Sequence, residues 1–158
     1  MRTWMKTSLA FAGVAILAAQ IVRPPRTNPP EQPGHSIHAV SPVTPEVAGI
    51  LNRSCNDCHS NSTVWPWYSQ VAPASWLVAL DVHRGRKAMN LSEWTSYPPK
   101  QQRELLHDVC EEAAKGEMPE AQYVAIHRKA KLSFADRQLL CNWAYGNAGA
   151  TSSEAAGE

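Results

Sequence analysis

The chain has 158 residues, of which 44% are hydrophobic and 18% charged, and its formal net charge at pH 7 is +1. This length accommodates one domain with appended segments. A nucleic-acid-binding protein needs a basic face, and the near-neutral charge gives no sign of one.

An apolar run over residues 8–22 follows two basic residues at the N-terminus. A cleaved signal peptide would end in a small-x-small site, but Leu17 lies two residues before Ala19 and breaks that pattern. Residues 1–22 are therefore interpreted as an uncleaved signal anchor that crosses the membrane once. The apolar run is near the short limit for spanning a bilayer.

Residues 23–45 contain seven of the 12 prolines. Proline disfavours helix and favours extended polyproline II structure, so this segment is predicted to be a semi-rigid linker or a strap laid on the domain. A disordered linker is the alternative. His35 and His38 lie here and are expected to be solvated.

The chain is organised around a C-x-x-C-H pattern at residues 55–59. Thiols about one helical turn apart, Cys55 and Cys58, can form thioethers with the two vinyl groups of one porphyrin, and His59 then becomes the proximal iron ligand. A structural zinc site would need two more ligands, usually another close pair, and the other two cysteines are isolated. A thioredoxin-like redox pair would need a βαβ context, which is absent. The pattern therefore predicts one covalently attached haem c.

Four main helices are predicted around this pattern, and no convincing strand pattern appears, so the fold class is all-α. The haem-binding domain is expected over residues 46–146, followed by a disordered tail over 147–158. The predicted helices begin at Pro45, Pro73, Pro98 and Ser133 and end, respectively, at the haem motif, near Gly85 or Lys87, before Gly116 and at Gly146.

Three aromatic residues, Trp65, Trp67 and Tyr68, follow the haem motif within four positions. Tryptophan is large and amphipathic, so this cluster is predicted to wall the haem or to close the core beside it. The alternative is a surface that docks a partner protein.

Met118 is the predicted sixth ligand of the iron. A thioether is a soft, neutral ligand, and Met/His ligation raises the reduction potential. Pro119 keeps Met118 out of a helix, so that its side chain can turn towards the iron. The alternatives are a core methionine, bis-His ligation through His127, and ligation by Met89.

Cys110 and Cys141 remain after haem attachment, and both fall on predicted helices. In an oxidising compartment they are expected to form a disulfide between the third and last helices. The alternative is a pair of buried free cysteines that pack as small hydrophobic residues.

The residues quoted so far carry a broad resemblance to monohaem cytochromes c. More closely, the chain resembles a family of small, membrane-anchored bacterial haem-binding domain proteins, over residues 20–145. The resemblance implies a cytochrome c-like helical domain around one covalent haem, although that family is named for its cofactor alone. The matching patterns are Arg23-Pro24-x-Arg26-x-Asn28-Pro29-Pro30, Cys55-x-x-Cys58-His59-Ser60-Asn61, Trp65-Pro66-Trp67-Tyr68, Ala72-Pro73-x-Ser75-Trp76, Ser92-Glu93-Trp94, Gly116-Glu117-Met118-Pro119 and Tyr123 through His127.

The leading functional hypothesis is an electron carrier rather than an enzyme. Its His/Met-ligated haem would exchange single electrons with redox partner proteins in the periplasm or inner membrane. The domain would be tethered to the bacterial inner membrane by the N-terminal helix and would face the periplasm. The alternatives are a peroxidase-like enzyme or gas sensor with an open or bis-His iron site, and an interaction module in which haem is structural.

Overall fold

The computed structural model describes the backbone of residues 2–154 and the side chains of residues 4–147. This part of the chain contains helices and no strands, which confirms the all-α prediction. The α-helices are α1 (Arg2–Ala19), α2 (Ile37–Val40), α3 (Pro45–Ser54), α4 (Asn56–His59), α5 (Ala74–Ala88), α6 (Pro99–Lys115), α7 (Ala121–Ile126) and α8 (Phe134–Glu154), with 3₁₀ turns at Trp67–Gln70, Leu91–Ser96 and Arg128–Ala130.

Helix α1 occupies most of the segment that was predicted to cross a membrane. Over the residues that the structure describes, no helix combines the length and the apolar character that a membrane crossing requires. The first turns of α1 hold Arg2 and Lys6, so its apolar part is shorter than the roughly 20 residues that span a bilayer. The predicted transmembrane helix over residues 1–22 is therefore not supported.

The proline-rich segment lies against the helical domain as a strap. Arg26 donates a hydrogen bond to the backbone oxygen of Ser69 (3.1 Å), and Asn28 donates one to that of Thr63 (3.0 Å). From α5, the Arg86 guanidinium donates to the side-chain oxygen of Asn28 (2.8 Å). These bonds fix the segment on the domain, so a free linker does not describe it.

The hydrophobic core lies where α3, α6 and α8 meet. Helix α6 packs along α8, and a disulfide between Cys110 and Cys141 joins the two, with a Cα–Cα distance of 4.6 Å. Helix α3 meets the start of α8, where Arg53 and Asp136 form a 2.7 Å ion pair. The largest side chains buried in this core are Trp94, Ile37, Ile50, Leu51, Leu106 and Leu140.

Local capping signals set several helix ends. Thr44 accepts a hydrogen bond from the backbone N–H of Val47, and α3 begins at the following proline. At the start of α8, the Ser133 hydroxyl accepts from the Asp136 N–H (3.1 Å), and the Asp136 carboxylate accepts from the Ser133 N–H (2.8 Å). This reciprocal pair is a capping box, and it lies at the predicted helix start, Ser133.

The last helix is longer than predicted. It continues through Gly146 to Glu154, because Gly146 does not adopt the left-handed conformation that caps a helix end. Of the tail that was predicted to be disordered, residues 147–154 are helical. Residues 155–158 lie outside the described part of the chain.

Candidate functional site

A cavity of about 310 Å³ lies beside the C-x-x-C-H motif. Its walls come from α4, α5, α7, the residues that follow the motif, and the Met-Pro segment after α6. The lining includes His59, Cys58, Met118 and His127 and is otherwise mostly apolar. Folding thus brings the predicted proximal ligand and both leading candidates for the sixth ligand to one cavity.

His59 is held by a backbone contact at one ring nitrogen. Its Nδ1 lies 3.1 Å from the carbonyl oxygen of Met89. A carbonyl only accepts, so Nδ1 carries the proton and donates, and Nε2 keeps its lone pair. Burial lowers the pKa of His59, which favours the neutral ring that a metal needs. The geometry therefore suits Nε2 as an iron ligand.

Met89 supplies that acceptor through its backbone and has another role through its side chain. Its side chain is buried in the hydrophobic core and does not line the cavity. Met89 is therefore a packing residue and a positioning contact for His59, and the structure does not place it as the third candidate ligand.

Helix α5 makes its closest approach to the haem motif at Gly85. A Cβ atom on Gly85 would lie 2.5 Å from the backbone oxygen of Cys58, closer than real Cβ contacts. Only glycine fits at this crossing without moving the two helices apart.

The sequence pattern indicates a helix end near Gly85 or Lys87, but α5 continues to Ala88. The available signal was an isolated glycine inside a helical pattern, which often marks close packing.

The two motif cysteines occupy different surroundings. Cys55 stands at the N-terminal end of α4, where its carbonyl accepts a 2.9 Å hydrogen bond from the N–H of His59, and it packs against the core. Cys58 lines the cavity, and Cys55 is not among the lining residues. Burial raises the pKa of each thiol to about 12, so both are neutral at physiological pH.

Met118 is positioned by the way α6 ends. Gly116 adopts a left-handed conformation with φ of +77°, which turns the chain out of the helix. The N–H of Met118 then donates a 3.2 Å hydrogen bond to the carbonyl oxygen of Glu112. The Met118 side chain lines the cavity and is 39% exposed. Its backbone is thus tied to the core helix while its thioether borders the cavity.

His127 borders the same cavity with both ring nitrogens engaged. Nε2 lies 3.3 Å from the phenol oxygen of Tyr68, and Nδ1 lies 3.3 Å from the carbonyl oxygen of Tyr123. The ring also stacks on Tyr123, with centroids 4.2 Å apart. Ligation by His127 would require its Nε2 to leave Tyr68.

A polar contact that the sequence reasoning missed closes one side of the cavity. The Tyr123 phenol donates a 2.7 Å hydrogen bond to Oδ2 of Asp57, and Oδ1 of Asp57 accepts from the N–H of Val64 (3.0 Å). Burial, followed by the bond to Asp57, raises the pKa of Tyr123 above its usual range. Asp57 is a variable position of the motif, so the pattern gave no signal of its role.

The two tryptophans that follow the motif are not among the residues that line the cavity. Val64, Pro66 and Tyr68 line it, and Trp65 and Trp67 do not. Trp67 is 77% exposed, and Trp65 donates a hydrogen bond to the strap. That these two tryptophans wall the haem or close the core beside it therefore stays a prediction. Trp94, by contrast, is buried in the core.

A family model described as a haem-binding domain matches residues 14–145, which is most of the chain. The matched region contains the C-x-x-C-H motif, the cavity and the disulfide. Comparison with curated proteins and with solved structures gives no match.

Proposed function

The chain belongs to the haem-binding domain family, and from that membership we propose that it is a c-type cytochrome that carries single electrons. In this proposal the haem is attached through Cys55 and Cys58, and its iron is ligated by His59 and Met118. One observation carries the proposal: a single, mostly apolar cavity is lined by Cys58, by His59 and, from a distant part of the chain, by Met118.

The residues that line the cavity fit a haem group. When bound, haem supplies an iron centre that accepts and releases one electron. His59 offers Nε2 because its other nitrogen is committed to a backbone carbonyl. The mostly apolar lining would limit the access of solvent to the group and lower the local dielectric, which is one of the factors that set its reduction potential.

The motif and its placement beside the cavity support the proposal of covalent attachment. Cys58 borders the cavity, and Cys55 lies one short helical turn earlier, at the N-terminal end of the same helix. Both thiols are buried and neutral, so neither is predisposed to act as a thiolate ligand in place of His59. Addition of the two thiols to the vinyl groups would leave the histidine free for the iron.

Met118 is proposed as the sixth ligand because the competing residue, His127, is already engaged in hydrogen bonds. Both nitrogens of His127 have partners within 3.3 Å, whereas the described residues make no hydrogen bond to the sulfur of Met118. Ligation by His127 would break its contact with Tyr68. Ligation by the thioether would break no hydrogen bond that the structure describes.

We further propose that the domain works outside the cytoplasm and exchanges electrons with redox proteins in the periplasm. The Cys110–Cys141 disulfide supports this location, because disulfides persist in oxidising compartments. Partners would approach the open side of the cavity, and the exposed Trp67 next to it offers apolar contact area.

A second candidate is a haem enzyme or gas sensor with an open sixth position. The favouring observation is the hydrogen-bonded pair Tyr68 and His127 at the cavity, which could donate or accept a proton beside a bound ligand. This alternative requires Met118 to be displaced easily from the iron.

Two measurements on protein produced with a haem-maturation system test the proposal. Acid–acetone extraction should leave the haem on wild-type polypeptide and remove it from the Cys55→Ala, Cys58→Ala double variant. Release of haem from the wild type would reject c-type attachment. The reduced protein should give a six-coordinate, low-spin spectrum that carbon monoxide does not change. A high-spin spectrum that shifts with carbon monoxide would favour the second candidate.

A further inference from the structure

Helix α5 has one face towards the haem cavity and another towards solvent. Its cavity-lining residues recur every three or four positions along the whole helix, as one face of a helix does. Trp76, Leu80, His83 and Lys87 have the same spacing but form a different stripe. All four are exposed, and none of them lines the cavity. These four residues are called the outward face of α5.

The first half of the outward face is apolar. Trp76 is 39% exposed and Leu80 is 40% exposed, and Val71, shortly before the helix, is also exposed. Residues 60–80 contain no Asp, Glu, Lys or Arg, so no charged side chain of this segment covers the patch. Large apolar side chains that cluster on an uncharged surface indicate an interaction site with an apolar partner.

Hydrogen bonds tie the end of α1 to the same part of the domain. The Gln20 side chain accepts from the N–H of Ala72 (2.9 Å) and donates to its carbonyl oxygen (3.3 Å). The Trp76 indole N–H donates a 2.8 Å hydrogen bond to the carbonyl oxygen of Val22. The side chains of Ile21 and Val22 are exposed beside this contact. The apolar half of the outward face and the end of α1 therefore form one continuous surface.

Helix α1 is itself apolar and exposed on all sides. Residues 7–22 contain no charged side chain. The large apolar side chains from Trp4 to Leu17 are 59–79% exposed, and at 3.6 residues per turn they are distributed around the whole helix. A helix that is apolar all round is typical of burial in a core or a membrane. A folded protein partner would cover one side of this helix, whereas lipid can surround it.

Basic side chains border the apolar surface. Lys87 lies at the far end of the outward face, about two turns after Leu80, and Arg23 directly follows Val22. Both basic residues are exposed, and the outward face contains no acidic residue. Basic side chains beside an apolar surface favour anionic lipid headgroups, and tryptophan is enriched where membrane meets water. Charge and apolar character therefore both favour an anionic lipid surface as the partner.

We propose that the outward face of α5 rests on an anionic lipid bilayer. Trp76 and Leu80 lie at the membrane–water interface in this arrangement, and Lys87 contacts the phosphate headgroups. The end of α1 enters the lipid beside Trp76, and a helix that lies within the interface makes this contact without crossing the bilayer. The cavity lies on a different face of α5, so the haem stays accessible to redox proteins. The proposal does not depend on the iron's ligands or on electron transfer.

The experiment uses the full-length haem protein with an environment-sensitive fluorophore on Leu80→Cys. The matched control carries the same fluorophore on Glu104→Cys, on the exposed face of α6. Vesicles of phosphatidylethanolamine and phosphatidylglycerol should shift the emission of the label at position 80 to shorter wavelength. Lipids brominated near the glycerol end of their chains should quench that label, and the label at position 104 should show neither effect.

Three results would overturn the proposal. The protein fails to associate with the vesicles, or it associates while the two labels behave alike, which would mean that α1 alone holds it there. In the third, the label at position 80 responds to protein concentration without vesicles, which would assign the surface to a second copy of the chain.

A charge variant tests the contact with the headgroups. In the labelled Leu80→Cys protein, Lys87→Gln should raise the concentration of anionic vesicles at half-maximal response about fivefold. Lys100→Gln makes the same change of charge on the exposed side of α6 and should leave that concentration unchanged. With vesicles of phosphatidylcholine alone, neither substitution should matter. Equal effects of the two substitutions on anionic vesicles would refute the placement of Lys87 at the headgroups.

Discussion

The phenol of Tyr123 donates a 2.7 Å hydrogen bond to Oδ2 of Asp57. Asp57 lies between the two haem-motif cysteines, and Tyr123 lies five residues after Met118 in α7. The bond therefore joins the helix that carries His59 to the segment that carries the proposed sixth ligand. This contact couples the two sides of the cavity.

Replacing Tyr123 by phenylalanine should loosen this coupling. A hydrogen bond to a charged group contributes about 1.5–3 kcal/mol, so Tyr123→Phe should lower the free energy of unfolding by roughly that amount. Denaturant unfolding of the haem protein measures it. The control is Tyr145→Phe, because the Tyr145 side chain is half exposed and its phenol makes no hydrogen bond among those described. Equal effects of the two substitutions would show that the bond to Asp57 contributes nothing specific.

The identity of the sixth ligand can be read from a charge-transfer band. Oxidised wild-type protein should show the weak near-infrared band of iron–thioether ligation, and Met118→Ala should abolish it and lower the reduction potential. His127→Ala should retain the band, because His127 is engaged with Tyr68. A wild type without the band, combined with a high-spin His127→Ala protein, would instead assign the ligand to His127.

Gly85→Ala should destabilise the protein because the new Cβ would lie 2.5 Å from the Cys58 carbonyl oxygen. Overpacking of this kind typically costs about 1–3 kcal/mol. Gly49→Ala is the matched control. Gly49 is also helical, and nothing lies within 4 Å of the position that a Cβ would occupy there, so alanine should stabilise by about 0.4–1 kcal/mol. If both substitutions change the free energy of unfolding in the same direction, the close contact between Gly85 and Cys58 is contradicted.

Reduction of the Cys110–Cys141 disulfide should destabilise the fold without releasing haem. The bridge links residues 31 positions apart, and the chain-entropy model gives a stabilisation of about 3–4 kcal/mol for a loop of this length. Cys110→Ser combined with Cys141→Ser should lower the free energy of unfolding by a comparable amount. Alkylation of the denatured, unreduced haem protein provides a direct check. Labelling of two thiols would show that the bridge does not form in solution.

The motif thiols of haem-free protein should react slowly while it is folded. Burial raises the pKa of Cys55 and Cys58 to about 12, so at pH 8 about one thiol in 10⁴ is ionised. Alkylation at pH 8 should therefore be at least a hundredfold slower than in denaturant, with far-UV circular dichroism confirming the fold. Equal alkylation rates in the folded and denatured protein would contradict the burial of these thiols.

The raised pKa of the two thiols also makes the folded state lose stability as pH rises above 9, because the thiols of the unfolded chain ionise first.

The sequence by itself determined the parts of this protein that depend on neighbours within a few residues. The start of α3 after Thr44 and the Ser133–Asp136 capping box follow from side chains that bond to nearby backbone groups, and the left-handed Gly116 follows from glycine's freedom at positive φ. The C-x-x-C-H spacing likewise predicted haem binding, which the family match confirms. These signals are local, so no knowledge of the packing is needed to interpret them.

Only the tertiary structure decided which residues meet at the cavity. Whether Trp65, Trp67 or Tyr68 borders the cavity depends on how their segment packs against α5, and in the folded chain it is Tyr68 that lines the cavity. The Gly85 crossing and the Tyr123–Asp57 bond join residues 27 and 66 positions apart. Contacts at such separations are selected by how whole helices pack, because a side chain's partner is set by the relative placement of its helix and not by its neighbours in sequence.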